Sequence, residues 1–174
     1  MHKRFFMILD GPMGAGKTTV TNILRHKLPR TAIIGWDTMK AMVSDFKNGP
    51  EDGSMLSKIQ KDLILNFMNN NLNIIMDGGF ARGERIKQFI QLAQRKEYKL
   101  LIYQFTAPQK ALVERTQERP KFVWEKKPAS KTHMSKRIDF YNEHKYQGEV
   151  IPIDSYKLST KQIANKILKD IEFK

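Results

Sequence analysis

The sequence predicts an α/β fold: a three-layer domain in which five β/α units build one parallel sheet with helices on both faces. Three observations lead there. Short apolar runs of strand length alternate with amphipathic segments of helical length, the pattern of a parallel sheet covered by helices. No internal repeat, low-complexity tract or linker divides the 174 residues, a length that suits one domain with its own core. Hydrophobic content of 40% with 28% charged residues is that of a globular chain.

Residues 4–9 (RFFMIL) read as a buried first strand that ends at Asp10. Residues 17–28 follow as a helix with Val20, Ile23, Leu24 and Leu28 on one face, stopped by Pro29. Residues 31–35 form a second strand and 37–46 a short helix, and Asn48-Gly49-Pro50 breaks the chain. Residues 54–71 make a long helix carrying Leu56, Ile59, Leu63, Ile64, Phe67 and Met68. A third buried strand, 72–76, runs into Asp77-Gly78-Gly79. Residues 84–96 are helical through Ile86, Phe89, Ile90 and Ala93, 99–105 form a fourth strand, and 108–118 another helix. Residues 119–134 (RPKFVWEKKPASKTHM) have no periodicity and hold Pro120 and Pro128, so an irregular, mobile loop is expected there. A helix over 135–144, a fifth strand over 149–153 and a closing helix over 160–171 complete a single domain spanning 1–174.

Composition narrows the chemistry. The chain has no cysteine, which excludes disulfides, Cys-type zinc sites and thiol catalysis and fits a reducing compartment. His2, His26, His133 and His144 have no metal-ligand spacing. The first apolar run is too short for a signal peptide or a membrane span. The expectation is a cytoplasmic protein with no membrane partner and no obligate protein partner. A net charge of +13 favours polyanions, either nucleic acid or phosphorylated substrates. A solvated lysine-rich surface would give the same figure.

Gly11-Pro12-Met13-Gly14-Ala15-Gly16-Lys17-Thr18 matches G-x-x-x-x-G-K-[ST] at every fixed position. The glycines let successive backbone N–H groups point at phosphate oxygens, and a helix start at Lys17 adds its positive end. Gly11, Met13, Gly14, Ala15, Gly16, Lys17, Thr18 and Thr19 are therefore the candidate nucleotide contacts. Lys17 reaches the β- and γ-phosphates and Thr18 ligates Mg²⁺, with ATP as the nucleotide expected. A strand before the motif and a helix after it supply the context that separates this P-loop from a chance glycine turn.

A P-loop does not name a reaction. Asp37 lies just beyond the second strand, at the edge where open α/β sheets bind ligands. A carboxylate there can orient an acceptor hydroxyl and take its proton, or it can cap the helix that follows. Asp77 ends a buried strand, the position of an acid that holds Mg²⁺ through water, or of a tight Asp-Gly turn. Gly78 and Gly79 permit close backbone approach to a substrate. Arg115 and Arg119 share a helix face and open a strongly basic stretch that could close over a triphosphate as a lid. Trp36 and Trp124 can stack on a base or sugar, or pack in the core.

On these residues the chain resembles the small P-loop kinases of the polynucleotide kinase, zeta toxin and chloramphenicol phosphotransferase kind. The matching stretches run in order through DGPMGAGKTT, WDTMK, IIMDGGFARGERIKQF, LVERTQERP and VIPIDSYKLSTKQIANKIL. The resemblance implies a P-loop NTPase fold with sheet order 2-3-1-4-5 and a lid within 119–134. It also implies ATP as donor, Asp37 as base, and Arg115 and Arg119 on the γ-phosphate side. Lys40 stands where polynucleotide kinases carry a basic residue that meets the acceptor's phosphate. Gly78, Gly79 and Arg82 fall on the acceptor side, Gly78-Gly79 being similar to the substrate loops of shikimate- and gluconate-type kinases. The acceptors implied are a nucleic-acid 5′ end or a nucleoside/nucleotide, or else a sugar, shikimate-like or antibiotic small molecule. An NTP-dependent binding module with slow ATPase activity is the reading from another class.

Overall fold

The computed structural model describes residues 4–78, 83–118, 131–143 and 149–172. The first apolar run becomes β1 (Phe5–Asp10), with all six residues buried. It forms the centre of a sheet of order β2-β3-β1-β4-β5, built with β2 (Thr31–Gly35), β3 (Asn73–Asp77), β4 (Lys99–Thr106) and β5 (Ile151–Asp154). Every neighbouring pair is parallel.

A strand with two buried faces must be apolar at both parities, and β1 divides its side chains accordingly. Phe5, Met7 and Leu9 face α1 (Lys17–Arg25) and α7 (Thr160–Glu172), in a cluster with Val20, Leu24, Ile163 and Ile167. The same cluster takes in Leu112 of α5 (Gln109–Glu118) and Ile138 of α6 (Lys131–Glu143). Phe6 and Ile8 face the other way, toward α2 (Trp36–Ala41), α3 (Pro50–Asn69) and α4 (Gly83–Arg95). These are the three layers expected.

Two helices hand the chain back to the sheet by one device. At the end of α3, Asn71 sits at φ 58, its N–H donates to the Met68 carbonyl, and Leu72 N–H donates to Phe67. At the end of α4, Glu97 sits at φ 57, its N–H donates to Gln94, and Tyr98 N–H donates to Ala93. Both are Schellman turns, which satisfy the last carbonyls of a helix and stop it sharply. The Tyr98 hydroxyl then donates to the carbonyls of Met68 and Leu72, joining the two turns.

Element boundaries differ from expectation where local chemistry decides. The second helix ends at Ala41 instead of residue 46, since Met42 and Val43 N–H bond three residues back and Asp45 takes φ 54. The third helix begins at Pro50, read from sequence as part of a break. Proline's fixed φ suits a first helical position, and Glu51 and Asp52 complement the helix dipole there. Helix α6 begins at Lys131, inside the expected loop, and residues 119–130 of that loop lie outside the described residues. Among the described residues no helix is long and apolar enough to cross a membrane.

Candidate active site

β1 delivers the chain into the glycine-rich loop at the carboxyl edge of the sheet. Gly11 has φ 138, and a Cβ on it would lie 2.5 Å from the Phe105 carbonyl oxygen of β4. Gly14 has φ 79, and its Cβ would lie 2.5 Å from the Leu112 carbonyl oxygen and 2.7 Å from Thr116 Oγ1 on α5. Both positions demand a residue without a side chain, for conformation and for space. Gly16, at φ 86, is the N-cap of α1 and offers no side-chain cap. The orphan N–H groups of the first turn of α1 therefore face the loop without a capping oxygen, the arrangement that suits phosphate.

Lys17 folds back over this loop. Its Nζ donates to the carbonyl oxygens of Gly11 at 2.8 Å and Pro12 at 2.9 Å. Its side chain also borders the end of β3, where a Cβ on Gly78 would lie 3.7 Å from Lys17 Cε. The Gly78 N–H donates to the Leu9 carbonyl at 3.0 Å and ties that end of β3 to β1. Met13 is half-buried, Ala15 is buried, and Thr18 and Thr19 are exposed.

Strand register brings the two acids together. Gly35, the last residue of β2, pairs with Asp77, the last of β3. Adjacent strands lie about 4.8 Å apart, so Asp37, two residues beyond Gly35, stands beside Asp77. Asp77 is buried, and burial pushes its carboxyl above the ordinary value of 3.8; the Lys17 charge and a hydrogen bond from Thr18 pull it down, and the Asp37 charge pushes it up again. Lys17, Thr18, Asp37 and Asp77 thus form one electrostatic group.

Asp37 does not cap a helix. The N-cap of α2 is Gly35, without any side-chain capping bond, and Asp37 lies in the first turn. Its side chain is 46% exposed, and its Oδ1 lies 3.5 Å from Lys40 Nζ, whose side chain is 12% exposed. The same ammonium stands 5.8 Å from the centre of the Phe46 ring. Trp36 is half-buried and packs against the core of that face.

Arg115 sits in the last turn of α5, and its Nη1 donates to the Ser155 carbonyl at 3.2 Å. Arg119, Gly79 and Arg82 lie outside the described residues. The segment after β5 belongs to a stretch that carried the resemblance, but none of its residues was given a role from sequence. There the Asp154 carboxylate accepts from the N–H groups of Tyr156 and Lys157, bonds that hold it below the usual carboxylate range. Ser159 and Gln162 cap α7 reciprocally, and Thr160 Cγ2 would lie 3.5 Å from a Cβ on Gly16. The signal was available as S-x-x-Q before an apolar helix. The site thus combines an anion cradle, a cation folded back on it, a half-exposed carboxylate and a buried one.

The AAA domain family AAA_33 matches residues 6–137. The chain belongs to that family. This AAA domain matches no curated protein sequence. Among solved structures it is similar to a chain of the Pnkp1/Rnl/Hen1 RNA repair complex, at 18% identity and TM-score 0.68, covering 82% of this chain and 45% of that one. It is similar to the tunicamycin resistance protein of Deinococcus radiodurans at 16% identity and TM-score 0.67, covering 97% and 96%. It is also similar to shikimate kinase from Acinetobacter baumannii in complex with shikimate, at 20% identity and TM-score 0.60, covering 98% and 94%. The AAA domain therefore spans less than half of the first chain and nearly all of the other two. At these identities the likeness is one of fold, and the five-stranded parallel order 2-3-1-4-5 is that of the P-loop NTPase fold.

Proposed function

We propose that this AAA domain is a cytoplasmic phosphotransferase that moves the γ-phosphoryl group of ATP to an acceptor hydroxyl. The convergence of Lys17, Thr18 and Asp37 on Asp77 carries the reading, with Gly35 of β2 in register with Asp77 of β3. A nucleotide-binding module needs the cradle and the cation. An exposed second carboxylate two residues beyond the neighbouring strand is what transfer to an alcohol adds.

The residues fit Mg²⁺. Thr18 and a buried Asp77 form a pair of hard oxygen donors, and burial of Asp77 outweighs the Lys17 charge acting on it, so further positive charge there is favourable. Among the described residues no group of three His, Cys, Asp or Glu side chains could hold a metal, so phosphates and water would complete the shell. Thr18 would ligate the ion directly and Asp77 through water; bound there, it supplies neutralisation of charge on the phosphates.

The α1 N-terminus and the loop N–H groups hold the phosphates, and Lys17 leaves its own loop carbonyls for the β- and γ-phosphate oxygens. Asp37 orients the acceptor hydroxyl. As the acceptor oxygen bonds to the γ-phosphorus and the bond to the bridging oxygen of ADP breaks, the hydroxyl proton passes to Asp37. Arg115 and Arg119 stabilise charge on the transferring group. Gly78, Gly79 and Arg82 would serve the acceptor, with Lys40 beside Asp37. The similar solved structures include an RNA repair complex and a shikimate kinase; they support two acceptor classes, a nucleic-acid end or nucleotide, and a sugar-, shikimate- or antibiotic-like small molecule.

The test is transfer of labelled γ-phosphate from ATP–Mg²⁺ to 5′-hydroxyl oligonucleotides, nucleosides, nucleotides, sugars, shikimate and hydroxylated antibiotics. A labelled acceptor supports the reading. Release of phosphate to water alone, across the whole panel, replaces it with a nucleotide-dependent binding module.

A further inference from the structure

Lys40 sits where a cation would meet an acceptor's phosphate, and its surroundings suit another task. Residues 37 and 40 lie on one face of α2, three apart. The ammonium is 3.5 Å from Asp37 Oδ1 and 5.8 Å from the Phe46 ring centre, on a side chain only 12% exposed. Asp37 is 46% exposed. The open side of the pair is the carboxylate, and the cation stands behind it. A phosphate approaching from solvent meets negative charge first, with a second carboxylate, Asp77, close enough to interact with Asp37.

The stretch that begins with this pair is unlike the rest of the chain. Helix α3 is about 30 Å long at 1.5 Å per residue, whereas β3, into which it leads, spans about 17 Å. Its N-terminal part therefore reaches beyond the carboxyl edge of the sheet, and Leu56 there shares a core cluster with Met39 of α2 and with Phe46. Residues 37–62 hold five acidic side chains (Asp37, Asp45, Glu51, Asp52, Asp62) against four basic ones (Lys40, Lys47, Lys58, Lys61), a net −1 in a chain of +13. Among the described residues the large hydrophobics left exposed are Met42, Met55, Ile59 and Tyr156, and the first three lie in this stretch. Met55 and Ile59 are four apart on α3 and share a face.

We propose that Lys40 is a positioning residue for Asp37, and that the acceptor is an uncharged, hydroxyl-bearing small molecule with an apolar body, taken up against Met42, Met55 and Ile59. The inference rests on the phosphotransferase reading and names its acceptor class. Lys40 fixes the direction of the Asp37 carboxylate and balances its charge beside Asp77. The basic surface elsewhere on the chain has no part in choosing the acceptor.

The first arm of the test needs no acceptor turnover. The lysine 13Cε signals of the full-length protein are followed, with Lys40 assigned through K40R. Asp37→Asn shifts the Lys40 signal, and adenosine 3′-monophosphate leaves it in place. A Lys40 signal that saturates with the 3′-monophosphate and ignores the Asp37 change overturns the proposal.

The second arm compares acceptors. Adenosine and adenosine 3′-monophosphate offer the same 5′-hydroxyl with and without a phosphate, and butyl glucoside offers a neutral alcohol with an apolar tail. Butyl glucoside or adenosine is phosphorylated in preference to the 3′-monophosphate. Lys40→Met lowers kcat about 100-fold through misplacement of Asp37, leaves the acceptor KM little changed, and is rescued by Lys40→Arg. Preference for the 3′-monophosphate, lost in K40M through a rise in KM, overturns the proposal while the phosphotransferase reading stands. Failure of every acceptor removes the reading itself, and the 13Cε arm still decides what Lys40 serves.

Discussion

The Lys17 ammonium donates to the Gly11 carbonyl oxygen at 2.8 Å, so the cation of the phosphate loop is held by the loop itself. With Pro12 as second acceptor at 2.9 Å, two charge-assisted bonds keep the side chain folded back. Nucleotide must replace both. Lys17→Met is expected to weaken binding of ATP–Mg²⁺ about 10- to 100-fold, the range of hydrogen bonds to a charged group. Isothermal titration measures this, and an affinity equal to wild type would remove Lys17 from the phosphate site.

Asp37 separates binding from transfer. Its side chain is half open and lies against Lys40 of its own helix, so Asp37→Asn is expected to leave the loop and Thr18 in place. Transfer to the best acceptor falls by about 10²- to 10⁴-fold, as loss of a general base does, and nucleotide affinity changes little. Near-normal turnover in this variant would take the base role away from Asp37.

Asp77 makes stability depend on pH in a stated direction. Its folded-state pKa is raised by burial, above the 3.8 of an ordinary carboxyl. Between those two values the native protein holds a proton that the unfolded chain has released, so stability falls as pH rises through that window. Below 3.8 both states are protonated and the effect vanishes. Asp77→Asn removes the buried charge, so the variant melts above wild type at neutral pH, and the gap closes as pH falls below 3.8. The same variant loses the Mg²⁺-dependent part of nucleotide affinity. A gap that widens on acidification would show that the Lys17 and Thr18 contacts outweigh burial.

Gly14 joins the loop to α5. A Cβ at φ 79 would lie 2.5 Å from the Leu112 carbonyl, a backbone atom that cannot step aside. Gly14→Ala is expected to cost about 2 kcal/mol of stability and to weaken nucleotide binding as the loop moves away from α5. Chemical denaturation and titration read the two effects. A variant as stable as wild type would mean that the loop relaxes freely.

Much of this site was legible in the sequence because phosphate binding needs local residue types at fixed spacing. Gly11, Gly14, Gly16, Lys17 and Thr18 are contiguous, and Asp37 and Asp77 each follow an apolar run. The sheet order rested on resemblance, since periodicity shows that a strand is buried and not which strand lies beside it. What stayed hidden is tertiary. Arg115 meets a carbonyl 40 residues away in Ser155. Asp37 and Asp77 interact through the register of Gly35 with Asp77, which no spacing predicts. The capping alternative for Asp37 failed because the N-cap of α2 falls two residues earlier, at Gly35. Pro50 was read as a stop when its ring favours a helix start as well.

Gln60 violates the rule that buried polar groups find partners. It is fully buried on the sheet-facing side of α3, in line with Leu56, Ile64 and Met68, and among the described residues neither Oε1 nor Nε2 has a hydrogen-bond partner. Each unmet group costs about 1–3 kcal/mol, and leucine has nearly the same volume without that cost. Gln60→Leu is therefore expected to stabilise the protein by about 2 kcal/mol, a rise in melting temperature of about 4–8 °C at this chain length. Differential scanning calorimetry decides. Destabilisation would show that the amide has partners in solution, such as a buried water with room to bond both atoms. Stabilisation with full activity would place Gln60 outside the site and leave its retention to some other constraint on the chain.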